Sequence, residues 1–341
     1  MMRPNLFLSH FAIGVVVALA GGTLLAQSFK LPTANVAVLE PENGVAAFAG
    51  TAGRTWPSGT FGCVRSDGFK MHEGIDIRSI QRDRSGEPTD PVIAAADGTV
   101  AYVSHRPQLS NYGRYIVVRH YIERLEVYSL YAHLSAIESV IQPGDRVRQG
   151  QRLGTLGRST NTREAIAKDR AHCHFEIDLV VNDRYAAWHS ANLKGMRNDH
   201  GNFNGHNLLG IDPWKVFLEQ RRLGTNFSLT QFLRSRPELC RVQVRDTDFP
   251  WAKRYRPLID RNPVADREGV AGYELSLSFN GMPCRLIPKA ASELKGTGKW
   301  TLISVNETEA RANPCSKLVF KRGQLWTLTG RAEQILSLLL W

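Results

Sequence analysis

A series of short segments rich in β-branched and aromatic residues constrains the fold of this chain more than any other feature of its sequence. Turn residues separate these segments at regular intervals from about residue 61 onward. The clearest examples are Gly98–Val103, Tyr115–Val118, Glu126–Tyr131 and His174–Ile177. Such composition and spacing are typical of antiparallel strands. We therefore predict a mainly β fold, with a first domain at residues 59–224 that ends in a helix beginning at Asp212 and Pro213.

The last third of the chain, residues 225–341, follows a different pattern. Residues 273–279 alternate between apolar and polar side chains and lead into Asn280-Gly281, a strong hairpin signal. Residues 317–320 and 324–328, separated by a turn that contains Gly323, indicate a second hairpin. We therefore predict a second, β-rich C-terminal domain, whose function the sequence does not indicate.

The N-terminus has the pattern of an export signal. Arg3 precedes an uncharged apolar run from Phe11 to Ala26, so residues 1–26 predict a signal peptide. The run is short for a membrane-spanning helix, and an uncleaved anchor through residues 6–26 is the alternative. Either form predicts an exported protein of the periplasm or cell envelope. Residues 27–58 contain Pro, Gly and Ala without a sustained period, which predicts a linker.

The chain is basic, with 43 lysines and arginines against 32 acids and a formal net charge of +11. This balance favours an anionic polymer as a partner. The sequence has no dense basic cluster interleaved with aromatic residues and no recognisable nucleic-acid module. We therefore expect no nucleic acid partner. Bacterial envelope polymers, which carry carboxylates and phosphates, fit the charge at least as well.

Three histidine motifs stand out, around His72, His133 and the His172/His174 pair, and two of them indicate a metal site. His172 and His174 lie in a predicted strand, where residues two apart share a face about 6.6 Å from each other. His72 and Asp76 would be about 13 Å apart in an extended chain, so both can reach one metal only if the chain bends at Gly74. Two histidines and one carboxylate, with a fourth position open, form a frequent catalytic zinc shell. The absence of C-x-x-C and H-E-x-x-H excludes zinc fingers and the helix-based metalloproteases.

Several motifs occur in an order that resembles the lysostaphin/LytM-type zinc endopeptidases of bacterial cell walls. The resemblance covers roughly residues 59–218. It rests on Phe61-Gly62, His72-x3-Asp76, Val92-x-Ala94, Asp97-Gly98-Thr99-Val100, Tyr112-Gly113, Tyr131-Ala132-His133-Leu134, Gly144-Asp145-x-Val147-x2-Gly150-Gln151-x-Leu153-Gly154 and His172-x-His174-Phe175-Glu176.

The resemblance implies an antiparallel β-sheet peptidase domain with an open groove. It further implies one Zn²⁺ per chain, bound by His72, Asp76 and His174, with His133 and His172 as catalytic histidines. The activity implied is that of an exported endopeptidase that hydrolyses peptide crosslinks of peptidoglycan. Glu73 is adjacent to a ligand, but strand alternation predicts that it points away from the site.

Two alternatives remain open from the sequence. One is a non-catalytic relative that activates other cell-wall hydrolases, although such relatives usually lack one or more of the ligands. The other is a protease of glycine-rich secreted proteins that uses the same chemistry.

The sequence also departs from the family pattern. Residues 161–171 form a longer, charged approach to the two histidines, and residues 187–210 are an insertion that we interpret as a surface loop or lid. Cys173 replaces the common leucine and is expected to face the core. Export permits disulfides, which we expect to come from Cys63, Cys240, Cys284 and Cys315.

Overall fold

The computed structural model describes residues 29–341. The predicted signal peptide at 1–26, and the anchor that is its alternative, lie outside this part of the chain. Within residues 29–341, none of the helices has the length and apolar character needed to cross a bilayer.

Strands dominate the part of the chain that carries the histidine motifs. In chain order they are β1 (Gly62–Arg65), β2 (Lys70–His72), β3 (Ile75–Arg78), β4 (Pro91–Ile93), β5 (Gly98–Ser104), β6 (Arg114–Ile122), β7 (Leu125–Leu134), β8 (Ala136–Ile137), β9 (Arg146–Val147), β10 (Arg152–Thr155), β11 (His172–Val180) and β12 (Leu208–Ile211). The C-terminal region adds β13 (Cys240–Val244), β14 (Gly272–Leu277), β15 (Pro283–Lys289), β16 (Trp300–Val305), β17 (Val319–Arg322) and β18 (Leu325–Leu328).

Short helices connect these strands. They are α1 (Gly44–Ala47), α2 (Tyr185–Asn192), α3 (Pro213–Leu223), α4 (Leu229–Arg234), α5 (Pro250–Arg254), α6 (Pro263–Glu268), α7 (Glu307–Ala312) and α8 (Gly330–Leu339). Helix α3 begins as predicted, because the Asp212 side chain accepts a hydrogen bond from the backbone N–H of Lys215.

The central sheet has its strands in the order β12-β11-β7-β6-β5-β9, and β3 also pairs with β11. All of these pairings are antiparallel, which confirms the predicted fold class. Strand β11 is buried along its whole length, with Phe175 and Ile177 in the hydrophobic core. His172 and His174 therefore lie on the opposite face of the same strand, as their spacing predicts.

The C-terminal region contains a four-stranded antiparallel sheet in the order β15-β14-β13-β16 and a separate β17-β18 hairpin. Both predicted hairpins are present, since Asn280 and Gly281 lie between β14 and β15, and Gly323 lies between β17 and β18. One continuous hydrophobic core includes Phe175 of the central sheet and Leu275 of the C-terminal sheet. The two regions are therefore packed against each other rather than joined by a flexible connection.

The segment at 29–58 differs from the linker that the sequence predicts. Phe29, Val38 and Phe48 are buried in the core, and Phe48 forms an isolated bridge with Ile77 of β3. The indole Nε1 of Trp214 donates to the carbonyl of Val38 at 2.8 Å. Much of this segment forms short 3-10 turns, so its buried side chains follow no period that a sequence pattern could reveal.

The insertion at 187–210 is also more ordered than the predicted surface loop. Its first residues belong to α2, whose Trp188 is buried and donates to Ser337 Oγ of α8 at 3.1 Å. His200 is buried, and its Nδ1 lies 2.9 Å from the hydroxyl of Tyr102. The insertion is therefore packed between the central sheet and the C-terminal helix.

The cysteines form one disulfide, drawn from the four expected positions, although the sequence does not specify its pairing. Cys63 and Cys315 form a disulfide, while Cys173, Cys240 and Cys284 are buried free thiols. Cys173 belongs to the hydrophobic core, as expected for the residue between two histidines that face the other way.

Candidate metal centre and catalytic groove

Three strands bring the predicted ligands together. His72 ends β2, Asp76 lies in β3, and His174 lies in β11 opposite Asp76 in the β3–β11 register. The chain turns between β2 and β3 at Gly74, as predicted. A Cβ atom at Gly74 would lie 2.3 Å from the carbonyl oxygen of Phe175, so a glycine is required for this close approach.

The potential ligand atoms form a small triangle. His72 Nε2 lies 3.1 Å from Asp76 Oδ1 and 3.0 Å from His174 Nδ1, and His174 Nδ1 lies 2.9 Å from Asp76 Oδ1. Each of the three side chains is nearly or completely buried. These three residues are grouped closely enough to hold a metal ion.

Hydrogen bonds on the far side of each ring fix which histidine nitrogen faces the triangle. His72 Nδ1 lies 2.8 Å from the carbonyl oxygen of Thr60, which can only accept, so Nδ1 donates and Nε2 keeps its lone pair. His174 Nε2 lies 2.6 Å from a carboxylate oxygen of Glu176, which leaves Nδ1 toward the triangle. Carboxylate and carbonyl partners of this kind orient histidine ligands in metal sites.

The donor set fits a zinc ion. Two imidazole nitrogens and one carboxylate oxygen are ligands that zinc accepts. A tetrahedral zinc with bonds of about 2.1 Å keeps its ligand atoms roughly 3.4 Å apart, which is close to the spacing in the triangle. Cys173 supplies no thiolate here, because its side chain faces the core.

The charges around the triangle favour an anionic Asp76. Burial alone would raise its pKa, but His72, His172 and Arg65 hold the pKa of Asp76 well below its usual range. Arg65 contributes directly, with its guanidinium 2.6 Å from Asp76 Oδ2. Asp76 is therefore ionised throughout the physiological pH range and can compensate a cation.

The two histidines of the triangle differ in protonation. Burial lowers the pKa of His72 to about 4, so this ring is neutral at pH 7. Burial also opposes charge on His174, but hydrogen bonds to Asp76 and Glu176 outweigh it and raise the pKa of His174 to about 9. A metal ion that binds this site must therefore displace a proton from His174.

His133 and His172 form a second pair beside the triangle. Their ring centroids are 4.8 Å apart in an edge-to-face arrangement. His172 Nδ1 donates to the carbonyl of Arg170 at 2.7 Å, and His133 Nδ1 donates to the carbonyl of Ser159 at 2.9 Å. Each ring therefore has an unprotonated Nε2, and burial lowers the pKa of both histidines. Both are neutral near pH 7 and able to accept a proton.

The backbone of His133 is in the left-handed region, with a φ of 61°. This conformation is uncommon for a residue with a Cβ atom. Neighbouring segments impose it, because the His133 N–H donates to the carbonyl of Tyr112 at 2.9 Å and the His133 carbonyl accepts from the N–H of Ser159 at 3.3 Å. Backbone strain held in this way is common at functional sites.

Three residues near the triangle are not assigned correctly from the sequence. Glu73 was predicted to point away, yet it is exposed and lines the groove with the histidines, because β2 ends at His72 and alternation does not continue past it. Glu176 belongs to the His172-x-His174-Phe175-Glu176 motif, but the sequence analysis gives it no role. Its spacing from His172 and His174 nevertheless places it on the same face of the strand. Arg65 carries no local signal, because only the β1–β2 pairing brings it to Asp76.

A groove of about 900 Å³ runs past Asp76 and His174 of the triangle and past the His133–His172 pair. Besides the strands that carry these residues, the chain around 65–73 and 160–170 contributes to its lining. The lining also includes the early segment at Thr51 and Ala52, the insertion with His200, Asn204 and His206, and the C-terminal region with Cys315, Lys317, Arg331 and Ile335.

The middle of the chain matches a known family model. The match is to peptidase family M23 and covers residues 70–186, which include all five predicted site residues. Residues 70–186 form a peptidase M23 domain. The match confirms the lysostaphin/LytM-type resemblance that the sequence motifs carry.

Solved structures with similarity to this chain include several peptidases. LytM from Ruminococcus gnavus ATCC 29149 is 23% identical over 44% of this chain and 47% of that chain, with a TM-score of 0.29. A zinc-containing peptidase from Vibrio cholerae is 24% identical over 31% of this chain and 26% of that one, with a TM-score of 0.24. The catalytic domain of lysostaphin from Staphylococcus simulans is 18% identical over 47% of this chain and 86% of that chain, with a TM-score of 0.29.

This chain spans less than half the length of the first two of these structures. Comparison with curated proteins gave no match.

Proposed function

We propose that this protein is an exported zinc endopeptidase that hydrolyses peptide crosslinks of bacterial peptidoglycan. The observation that carries the proposal is the convergence of five residues at one site, where His72 lies buried against Asp76 and His174 and the other four line the groove. His72, Asp76 and His174 present their ligand atoms within 3.1 Å of one another. His133 and His172 lie beside them, each with an unprotonated Nε2. A non-catalytic relative would not need this complete set.

The proposed roles follow from the hydrogen bonds. His72 Nε2, Asp76 Oδ1 and His174 Nδ1 would hold one zinc ion per chain, with Arg65 and Glu176 fixing the orientation of Asp76 and His174. Bound zinc supplies Lewis acidity that polarises a peptide carbonyl and makes water acidic enough to act as a nucleophile near pH 7.

His133 and His172 would move the protons. A neutral imidazole nitrogen can take a proton from the attacking water and return it to the leaving amine, so that peptide cleavage yields one carboxylate and one amine. The same groups, once protonated, can stabilise negative charge on the former carbonyl oxygen. Burial keeps both rings neutral before the reaction.

Two observations support export. The first is the signal-like pattern of residues 1–26. The second is the Cys63–Cys315 disulfide, which is typical of proteins outside the reducing cytoplasm. The net charge of +11 would favour association with an anionic envelope polymer.

Digestion of purified peptidoglycan tests the proposal. The zinc-loaded protein should release fragments with new free amino groups at crosslinks, detected by mass spectrometry, and should leave a glycine-rich secreted protein intact. The Asp76→Ala variant should lose both zinc and activity. Zinc-loaded wild type that leaves the crosslinks uncut would contradict the proposal, and selective cleavage of the glycine-rich protein would assign the same chemistry to another substrate.

A further inference from the structure

One wall of the catalytic groove belongs to the C-terminal region, outside the M23 domain. Cys315, Lys317, Arg331 and Ile335 line the same cavity as His133 and His174. A peptide that extends along the whole groove from the proposed metal centre therefore meets this wall. Family resemblance gives no role to these residues, because the matched segment ends at residue 186.

Three contacts hold this wall against earlier parts of the chain. The Cys63–Cys315 disulfide joins it to β1. Asn280 Nδ2 donates to the carbonyl of Gly210 in β12 at 2.7 Å, and Asn182 Nδ2 donates to the carbonyl of Leu338 in α8 at 2.8 Å. The groups that the wall presents are therefore held at a defined position relative to the histidines.

The backbone of Lys317 lies beside the start of α8, the helix that carries Arg331. The Thr329 hydroxyl donates to the carbonyl of Lys317, and the Thr329 N–H donates to the carbonyl of Leu318. These bonds hold Lys317 beside the start of α8, where Arg331 lies in the first turn. His206 of the insertion lines the same groove, and burial together with the charge of Arg331 lowers the pKa of His206.

The positive charges of this wall are not paired with acidic side chains of residues 29–341. Lys317 and Arg331 are exposed, and neither forms an ion pair with any acid in residues 29–341. The groove is lined by five cations, Arg65, Lys70, Arg170, Lys317 and Arg331, against three acids, Glu73, Asp76 and Glu164. Arg65 is engaged with Asp76, which leaves the C-terminal wall as a positive surface facing the substrate.

We propose that Lys317 and Arg331 bind a free carboxylate of the peptide substrate and so select acidic peptides over uncharged ones. The inference rests on the proposed peptidase function and names the substrate class of that same groove. Arginine and lysine recognise carboxylates through charge-assisted hydrogen bonds. Because both side chains are exposed to water, we expect a moderate preference of about threefold to tenfold in kcat/KM.

The test compares two substrates and three proteins. One substrate is a preparation of crosslinked muropeptides with free carboxylates, and the other is the same preparation after conversion of its carboxylates to amides. The proteins are zinc-loaded wild type, the double variant Lys317→Gln/Arg331→Gln, and the control Arg322→Gln. Arg322 is an exposed cation of the same region that does not line the groove.

Wild type and the control should cleave the carboxylate form more efficiently, mainly through a lower KM. The double variant should lose this preference while its zinc content stays unchanged. Equal cleavage of both forms by wild type, or a preference that survives in the double variant, would overturn the inference and leave the peptidase proposal intact. Cleavage of neither form by wild type would instead reject the peptidase function on which the inference rests.

Discussion

The four site histidines illustrate how a hydrogen bond decides the chemistry of a residue. His72, His133 and His172 each donate Nδ1 to a backbone carbonyl, whereas His174 uses Nε2 toward Glu176. In His72 and His174 the remaining nitrogen lies beside Asp76 Oδ1. The histidines proposed as zinc ligands and the histidines proposed as proton carriers therefore differ in their position and not in the type of side chain. Substitutions at single positions should separate the two roles.

We predict different outcomes for His133→Ala and His174→Ala. His133→Ala should retain near-normal zinc content and melting temperature while losing roughly 10² to 10⁴ in rate, because it removes only a proton carrier. His174→Ala should lose both zinc and activity, since two protein ligands rarely hold the ion firmly. Zinc content, melting temperature and turnover should be measured on both variants. A fully active, zinc-loaded His133→Ala protein would refute the catalytic role.

At the scale of elements, β6 and β7 carry a buried polar network away from the groove. His120 of β6 is completely buried, with Nδ1 donating to the carbonyl of Asp97 at 2.8 Å and Nε2 2.7 Å from Ser129 Oγ of β7. Ser129 in turn contacts the hydroxyl of Tyr131, which accepts from the N–H of Ala95. While His120 is neutral, each polar side chain of this network has a hydrogen-bond partner.

We predict that His120 makes the fold sensitive to acid. Burial lowers the pKa of His120 from 6.5 to about 4, so between these values the unfolded chain binds more protons than the folded one. Stability is then complete above about pH 6.5 and falls as the pH drops toward 4, by about 3 kcal/mol in total. Urea unfolding of wild type and His120→Gln at several pH values should show a smaller pH dependence for the variant. Identical pH dependence would contradict this assignment.

At the scale of the whole molecule, the groove is a joint product of distant parts of the chain. The segment at 29–58, the central sheet, the insertion and the C-terminal region each contribute to its lining. The Cys63–Cys315 disulfide connects parts of the chain that are 252 residues apart. Cys315 itself lines the groove, so the covalent link is adjacent to the proposed substrate path.

We predict that this disulfide contributes about 2–4 kcal/mol to the free energy of unfolding. Cys63→Ala/Cys315→Ala should unfold at correspondingly lower denaturant concentration, because the unfolded chain gains freedom when the link is removed. Reductant should lower the stability of wild type to that of the variant and should not affect the variant. Unchanged stability in both the reduced protein and the variant would show that packing alone holds the C-terminal wall.

The sequence by itself determined the features that depend on short-range pattern. Alternation predicted the antiparallel strands and placed His172 and His174 on one face with Cys173 on the other. The need to bring His72 to Asp76 predicted the bend at Gly74, and Asn280-Gly281 predicted its hairpin. The family motifs then pointed to five candidate site residues. The structure places Asp76, His133, His172 and His174 along one groove and groups His72 with Asp76 and His174.

Only the tertiary structure decided the features that depend on contacts between distant segments. These include the ion pair of Arg65 with Asp76, the Cys63–Cys315 pairing and the burial of Phe48 in a segment predicted as a linker. The basic wall formed by Lys317 and Arg331 belongs with them. The physical reason is that periodicity records which face of its own element a residue occupies, whereas the neighbour that packs against that face is set by how the whole chain closes.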